Sequence, residues 1–196
     1  MKKQYEDVLF YKIIRPIITL FFPLLFKPKI IGKENIPNTG AVVLAGNHTH
    51  IFDCLLLISS TKRCIHFLAK KELWSGIKKI FFANLGLIPV DRKKKDHRAL
   101  EEAEKYLNNE KVIGIFPEGT TEKEKGKMLP FKMGTIKMAK DTNTKIVPFA
   151  IKGDYKLFSK NLSIIFGKPI EVKSNDLEVE KERLSACVKA LIEGDK

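Results

Sequence analysis

The chain has 196 residues, 44% hydrophobic and 30% charged, with 36 Lys+Arg against 23 Asp+Glu and a net charge of +13. That length predicts one domain with a full core, and the composition excludes a disordered or collagen-like chain. Three cysteines, Cys54, Cys64 and Cys187, form no C-x-x-C pair. A disulfide scaffold or zinc ribbon is therefore not expected, and each thiol reads as a small apolar side chain in a reducing compartment.

The first apolar stretch, Val8–Phe26, contains Lys12, Arg15, Pro16 and Pro23. A spanning helix wants about 20 predominantly apolar residues, and this run is interrupted sooner. No small-residue cleavage site follows it, so a secretory leader is not expected. Bulky aliphatics and phenylalanines mixed with basic side chains suit a segment lying in a membrane interface, where each Lys or Arg near an anionic surface adds about 1 kcal/mol. Two short helices fit the pattern, since Pro16 or Pro23 could end one. The competing reading is a helix packed into the core.

Ala41–Gly46 predicts a short buried strand, followed by a polar turn over Asn47–His50 and a buried helix over Ile51–Ser60. Cys64–Ala69 predicts a strand, Glu72–Asn84 a helix and Leu87–Val90 a short strand. Asp96 caps a helix through Asn108, with Ala99, Leu100, Ala103 and Leu107 on its apolar face. A strand over Lys111–Phe116 and a helix over Pro130–Lys140 come next. Ile146–Ile151 and Leu162–Phe166 predict strands, with Pro148 arguing for an edge or a bulge. A capped helix over 174–193 puts Leu177, Leu184, Val188 and Leu191 on one face. Phe131, Met133, Ile136 and Met138 read as core rather than as an acyl groove.

Strands alternating with helices predict the α/β class. The expected architecture is a single domain with a mixed, largely buried sheet flanked by helices, plus an N-terminal interfacial helical segment. The expected division is 1–29 for that segment and 30–196 for the domain. In open α/β sheets, ligands sit where strands give way to loops.

The charge is uneven. Residues 60–98 hold 11 Lys+Arg and 3 Asp+Glu, residues 1–35 hold 7 and 3, and residues 171–196 hold 5 and 7. A basic surplus in the N-terminal half implies an anionic partner: nucleic acid, a phosphorylated small molecule or an anionic membrane surface. No nucleic-acid-binding motif accompanies it, so nucleic acid is not the expected partner.

The most informative stretch is Asn47-His-Thr-His-Ile-Phe-Asp53. Five residues span about 1.4 turns, so His48 and Asp53 do not share a face of one straight helix. They meet if His48 sits in the turn and Asp53 in the first helical turn. The carboxylate then fixes the ring tautomer and leaves the other nitrogen as a base. That base acts directly on an incoming hydroxyl, with no serine nucleophile. Two alternatives stand beside this one. His48, His50 and Asp53 resemble part of a metal site, although His66 and His97 are the remaining histidines and make a two-metal site thin. Asn47 and Asp53 could also serve simply as caps of a polar turn.

Further blocks follow the predicted strands: Gly86–Arg92, Phe116-Pro-Glu-Gly-Thr-Thr121 and Ile146-Val-Pro-Phe-Ala150. In this order, with Asn47-His48-x4-Asp53, they resemble the glycerolipid acyltransferase superfamily, and within it the bacterial 1-acyl-glycerol-3-phosphate acyltransferases. The resemblance covers roughly residues 30–170. It implies acyl transfer from a thioester, carried by acyl-carrier protein or coenzyme A, to the sn-2 hydroxyl of a lysophospholipid acceptor. It implies His48 as general base and Asp53 as its partner. It further implies that Arg92 binds the acceptor phosphate, that Glu118 and Gly119 help hold the glycerol backbone, and that Thr120 belongs to the same substrate-binding set. No metal and no organic cofactor is implied. The third block departs from the family at Thr121, where an arginine associated with the phosphate is usual. Lys70 is a second phosphate candidate, and another lysolipid acceptor stays open. The expected location is the cytoplasmic face of the membrane, peripheral, with no spanning helix.

Overall fold

The computed structural model describes residues 9–74, 85–91, 96–121 and 128–194. Five α-helices and seven strands are assigned among them. In chain order they are α1 (Leu9–Phe26), β1 (Lys29–Ile31), β2 (Val42–Gly46), α2 (Asp53–Ser60), β3 (Ile65–Lys70) and β4 (Ile88–Val90). There follow α3 (His97–Asn108), β5 (Val112–Ile115), α4 (Gly134–Asp141), β6 (Ile146–Lys152), β7 (Ser163–Phe166) and α5 (Leu177–Glu193).

The strands form one mixed sheet in the order β1-β7-β6-β2-β5-β3-β4. β6, β2, β5, β3 and β4 run parallel. β7 is antiparallel to β6, and β1 pairs parallel with β7. All five residues of β2 are buried, as a strand covered on both faces requires. Its side chains alternate between two cores. Val42 and Leu44 join Leu56, Leu57, Phe22 and Phe26 beneath α1 and α2. Val43 and Ala45 join Ala99, Ala103, Ile136, Leu184 and Val188 beneath α3, α4 and α5. The result is three layers, helices on sheet on helices. Phe131, Ile136 and Met138 lie in the second core, with Met133 packed against it.

The C-terminal ends of the parallel strands share one edge of the sheet. Asn47, Lys71, Asp91 and Phe116 leave the sheet there. Asp96 caps α3 through Ala99 N at 3.2 Å, and Asp176 caps α5 through Glu178 N at 2.9 Å. Cys64 is buried, Cys54 and Cys187 are half-buried, and none of the three is in a disulfide.

Several elements differ from the sequence-based expectation. α1 is one continuous helix that contains both Pro16 and Pro23, where two short helices fitted the pattern. One side of α1 is anchored: Tyr11, Phe22 and Phe26 are buried, and Arg15 donates to the Thr61 carbonyl at 3.0 and 3.1 Å. Such anchoring outweighs the backbone bonds that the prolines remove. β6 is interior rather than an edge. Pro148 is tolerated because the β6–β7 register begins one residue later, at Phe149↔Phe166. Its carbonyl still accepts from Gly167 N at 2.8 Å. β1 is a three-residue edge strand that the pattern did not single out. Lys71–Trp74 forms a 3-10 turn, and the rest of the helix expected over Glu72–Asn84 lies outside the described residues.

Candidate active site

β2 delivers the site. Gly46, its last residue, runs so close to β6 that a Cβ would lie 2.2 Å from the Phe149 carbonyl oxygen. Asn47 then extends the sheet with its side chain. Its Oδ1 accepts from Ile151 N at 2.7 Å and its Nδ2 donates to Ile151 O at 2.9 Å. Asn47 is thus a splice to β6, not a helix cap.

The chain turns through His48, Thr49 and His50 and enters α2 at Asp53. Asp53 is fully buried, and five donors converge on its carboxylate. Thr49 N and His50 N donate to Oδ2 at 2.6 and 2.8 Å, and Thr49 Oγ1 donates to Oδ1 at 3.1 Å. Tyr155 Oη donates to Oδ1 at 2.5 Å. His48 Nδ1 lies 2.8 Å from Oδ2. An ionised carboxylate accepts only, so Nδ1 carries the proton and Nε2 is left with a free lone pair. The His48 ring stacks on Phe116, with centroids 4.1 Å apart, and its side chain keeps 11% of its exposure.

Glu118 braces this turn from the segment that follows the neighbouring strand β5. It is buried, and its Oε1 accepts from His48 N at 2.8 Å while its Oε2 accepts from Leu129 N at 2.8 Å. Two blocks far apart in sequence are joined by one carboxylate. Gly119 follows in the left-handed region at φ 74°, and a Cβ there would lie 2.5 Å from Lys132 Nζ. The left-handed φ is what calls for glycine, since the flexible end of Lys132 could swing aside. Thr120 is exposed beside it, and Lys70 is exposed at the C-terminal end of β3. Arg92 lies outside the described residues. The structure therefore brings His48, Asp53, Glu118 and Gly119 together, with Lys70 on the same edge of the sheet.

The His50 ring has its own partners. Its Nδ1 accepts from Phe52 N at 3.2 Å, and its ring stacks on Tyr155 at 4.8 Å. Among the described residues, no three His, Cys, Asp or Glu side chains converge in a metal-holding arrangement. Tyr155 escaped the sequence reading. It lies 102 positions beyond Asp53, and no local motif surrounds it.

An apolar surface adjoins the site. Ile13, Ile17, Leu20, Phe21 and Leu24 of α1 are exposed, and their three- and four-residue spacing places them on one face. Ile51, Phe52, Leu157 and Phe158 are exposed too. Phe158 N donates to Leu25 O at 2.6 Å, and Phe52 packs 5.8 Å from Phe26, so these residues adjoin α1. No helix of the described residues is long and apolar enough to cross a membrane. A separate cleft, lined in part by Arg15, Thr19, Lys33, Lys62 and Arg63, opens at the N-terminal ends of β3 and β5. It is at the opposite end of those strands from the site. Its two arginines already donate to the carbonyls of Thr61, Pro37, Gly40 and Glu110.

Comparison with known proteins places the chain in a family. A profile of the acyltransferase family matches residues 27–152. A protein of Bacillus subtilis named 1-acyl-sn-glycerol-3-phosphate acyltransferase is 30% identical over 190 residues, covering 92% of each chain. A Borreliella burgdorferi protein of the same name is 32% identical over 174 residues, covering 82% of this chain and 68% of its own. The crystal structure of the 1-acyl-sn-glycerophosphate acyltransferase PlsC from Thermotoga maritima superposes with a TM-score of 0.72 at 25% identity, over 93% of this chain and 80% of that one. The matched span contains both the His48–Asp53 turn and the Glu118 brace, and the chain belongs to the acyltransferase family.

Proposed function

We propose that the chain moves a fatty acyl group from a thioester to the sn-2 hydroxyl of 1-acyl-glycerol-3-phosphate, giving phosphatidic acid. The names of its relatives support that acceptor. The chemistry rests on one observation, the 2.8 Å contact of His48 Nδ1 with Asp53 Oδ2 beneath a ring that is still partly open.

In this reading, His48 Nε2 takes the hydroxyl proton as the oxygen attacks the thioester carbonyl carbon. Asp53 stabilises the imidazolium that forms. The tetrahedral oxyanion collapses, the C–S bond breaks, and the imidazolium returns the proton to the departing sulfur. A positioned base of this kind contributes about 10²–10⁴-fold. Phe116 stacks on the imidazole and limits its rotation. Glu118, with both oxygens on backbone N–H groups, serves the reaction by holding the His48 turn. Gly119 and Thr120 border the acceptor, and Lys70 and Arg92 supply positive charge for its phosphate.

The donor is an acyl-carrier protein or acyl-coenzyme A, and both bring negative charge to a chain of net charge +13. The N-terminal segment, residues 1–29, acts at the membrane interface, and residues 30–196 form the catalytic domain. The exposed apolar face of α1 supports that division, although its other face is built into the core. Fully burying one such aliphatic or aromatic side chain contributes about 1.5–3 kcal/mol. The protein then works peripherally at the cytoplasmic face of the membrane.

The test is a mass-spectrometric assay in anionic vesicles with 1-acyl-glycerol-3-phosphate, a panel of other lysolipids and both thioester donors. Phosphatidic acid is the expected product, and His48→Ala is expected to lose about 10²-fold or more in rate while staying folded. A folded His48→Ala variant with full activity would overturn the mechanism. Acylation of another lysolipid in preference would overturn the acceptor.

A further inference from the structure

We propose that Tyr155 is a positioning residue of the His48–Asp53 pair, acting through its hydroxyl on the Asp53 carboxylate. The inference rests on the reading of His48 as the general base.

The two oxygens of Asp53 divide their work. Oδ2 faces His48 Nδ1 and takes Thr49 N and His50 N. Those amides belong to the same short turn as His48 and move with it. Oδ1 takes Thr49 Oγ1 at 3.1 Å and Tyr155 Oη at 2.5 Å. Among the described residues, Tyr155 is thus the one donor that reaches Asp53 from outside residues 48–53. It fixes the carboxylate plane against the body of the protein, so that Oδ2 keeps its aim at the imidazole.

The tyrosine is itself held. Its ring meets Phe22, Phe26 and Phe52 edge-on, with centroids 6.2, 5.7 and 5.9 Å away, and stacks on His50 at 4.8 Å. It follows β6, the strand to which Asn47 is spliced. Burial pushes the phenol well above its ordinary value, and the neighbouring Asp53 charge adds to the effect. The hydroxyl therefore remains a donor throughout the working pH range. Two carboxylate oxygens held by different parts of the fold leave little freedom for rotation, which is the requirement for a base partner that must not reorganise during proton transfer.

Tyr155→Phe removes the hydroxyl and keeps the ring among its aromatic neighbours. We expect kcat to fall about tenfold, equivalent to about 1.4 kcal/mol, with the KM for donor and acceptor changed by less than about twofold. In an Asp53→Asn background, Tyr155→Phe is expected to change kcat by less than about twofold, because the two groups act as a unit. His48→Ala is measured alongside. If Tyr155→Phe leaves kcat intact while His48→Ala is inactive, the role of Tyr155 falls and the base assignment stands. If the full tenfold loss persists without the Asp53 carboxylate, action through Asp53 is refuted. If folded His48→Ala is active, the base assignment fails and this inference fails with it.

Discussion

Glu118 separates two accounts of the third block. In one its carboxylate meets the acceptor's glycerol; in the other it braces the His48 turn. The structure has Oε1 accepting from His48 N and Oε2 from Leu129 N, each at 2.8 Å, in a side chain left 4% exposed. Glu118→Gln preserves the shape but converts one acceptor into a donor. One of the two backbone N–H groups then faces an N–H₂ group. Leaving a buried donor unsatisfied costs about 1–3 kcal/mol. At about 2–4 °C per kcal/mol for a chain of this size, a loss near 2 kcal/mol lowers Tm by about 4–8 °C. The turn carrying His48 loosens as well, so kcat falls by about tenfold while the acceptor KM holds. Thermal melts with vesicle-based initial rates at varied acceptor decide the matter. An unchanged Tm with a raised acceptor KM would refute the brace and return Glu118 to direct acceptor contact.

Two further expectations concern the surface and the buried phenol. Leu20→Glu with Leu24→Glu alters side chains that are 65% and 59% exposed, so the fold should hold while affinity for anionic vesicles drops about tenfold or more in a flotation assay. Undiminished flotation would contradict the interfacial role of α1. Tyr155 has a folded pKa raised above the ordinary 10.0. Its contribution to stability is therefore complete below pH 10 and lost as pH rises further. Above pH 10 the wild type should lose stability faster than Tyr155→Phe by about 1.4 kcal/mol per pH unit, read by denaturant titration at several pH values. Parallel curves would show that the phenol is not protected.

The sequence spacing made the His48–Asp53 contact legible, because a turn followed by a helix start brings residues five apart together when the helix opens at the acidic residue. The same reading found β2, β5 and β6 from their β-branched runs and α3 and α5 from their caps. Other features depend on long-range register, which no local pattern carries. Tyr155 reaches Asp53 only because β6 lies beside β2 in the sheet. The Glu118 brace needs β5 on the other side of β2. Pro148 misleads locally, since its missing N–H falls just outside the β6–β7 ladder. α1 is ambiguous by composition because both of its faces are apolar; only packing distinguishes the Phe22 and Phe26 side from the Leu20 and Leu24 side.

That two-sidedness bears on how the site meets its lipid. The buried side of α1 supplies Phe22 and Phe26, whose rings touch Tyr155, while the exposed side faces away from the core. The loop after Tyr155 returns to α1 through Phe158 N and the Leu25 carbonyl, and Lys27 Nζ sits 5.9 Å over the Phe158 ring. Tyr155, the residue proposed to orient Asp53, is thus packed between the helix proposed to contact the membrane and the turn that carries His48. In the proposed reaction a lipid hydroxyl has to reach His48 from the interface without leaving it, and a base mounted on a remote loop would not allow that. The proposed base at the end of the central strand, linked through Asp53 and Tyr155 to the inner side of the helix proposed to be interfacial, does. Damage to α1's inner face should accordingly lower kcat, whereas damage to its outer face should weaken vesicle binding and leave the turnover of membrane-bound enzyme intact.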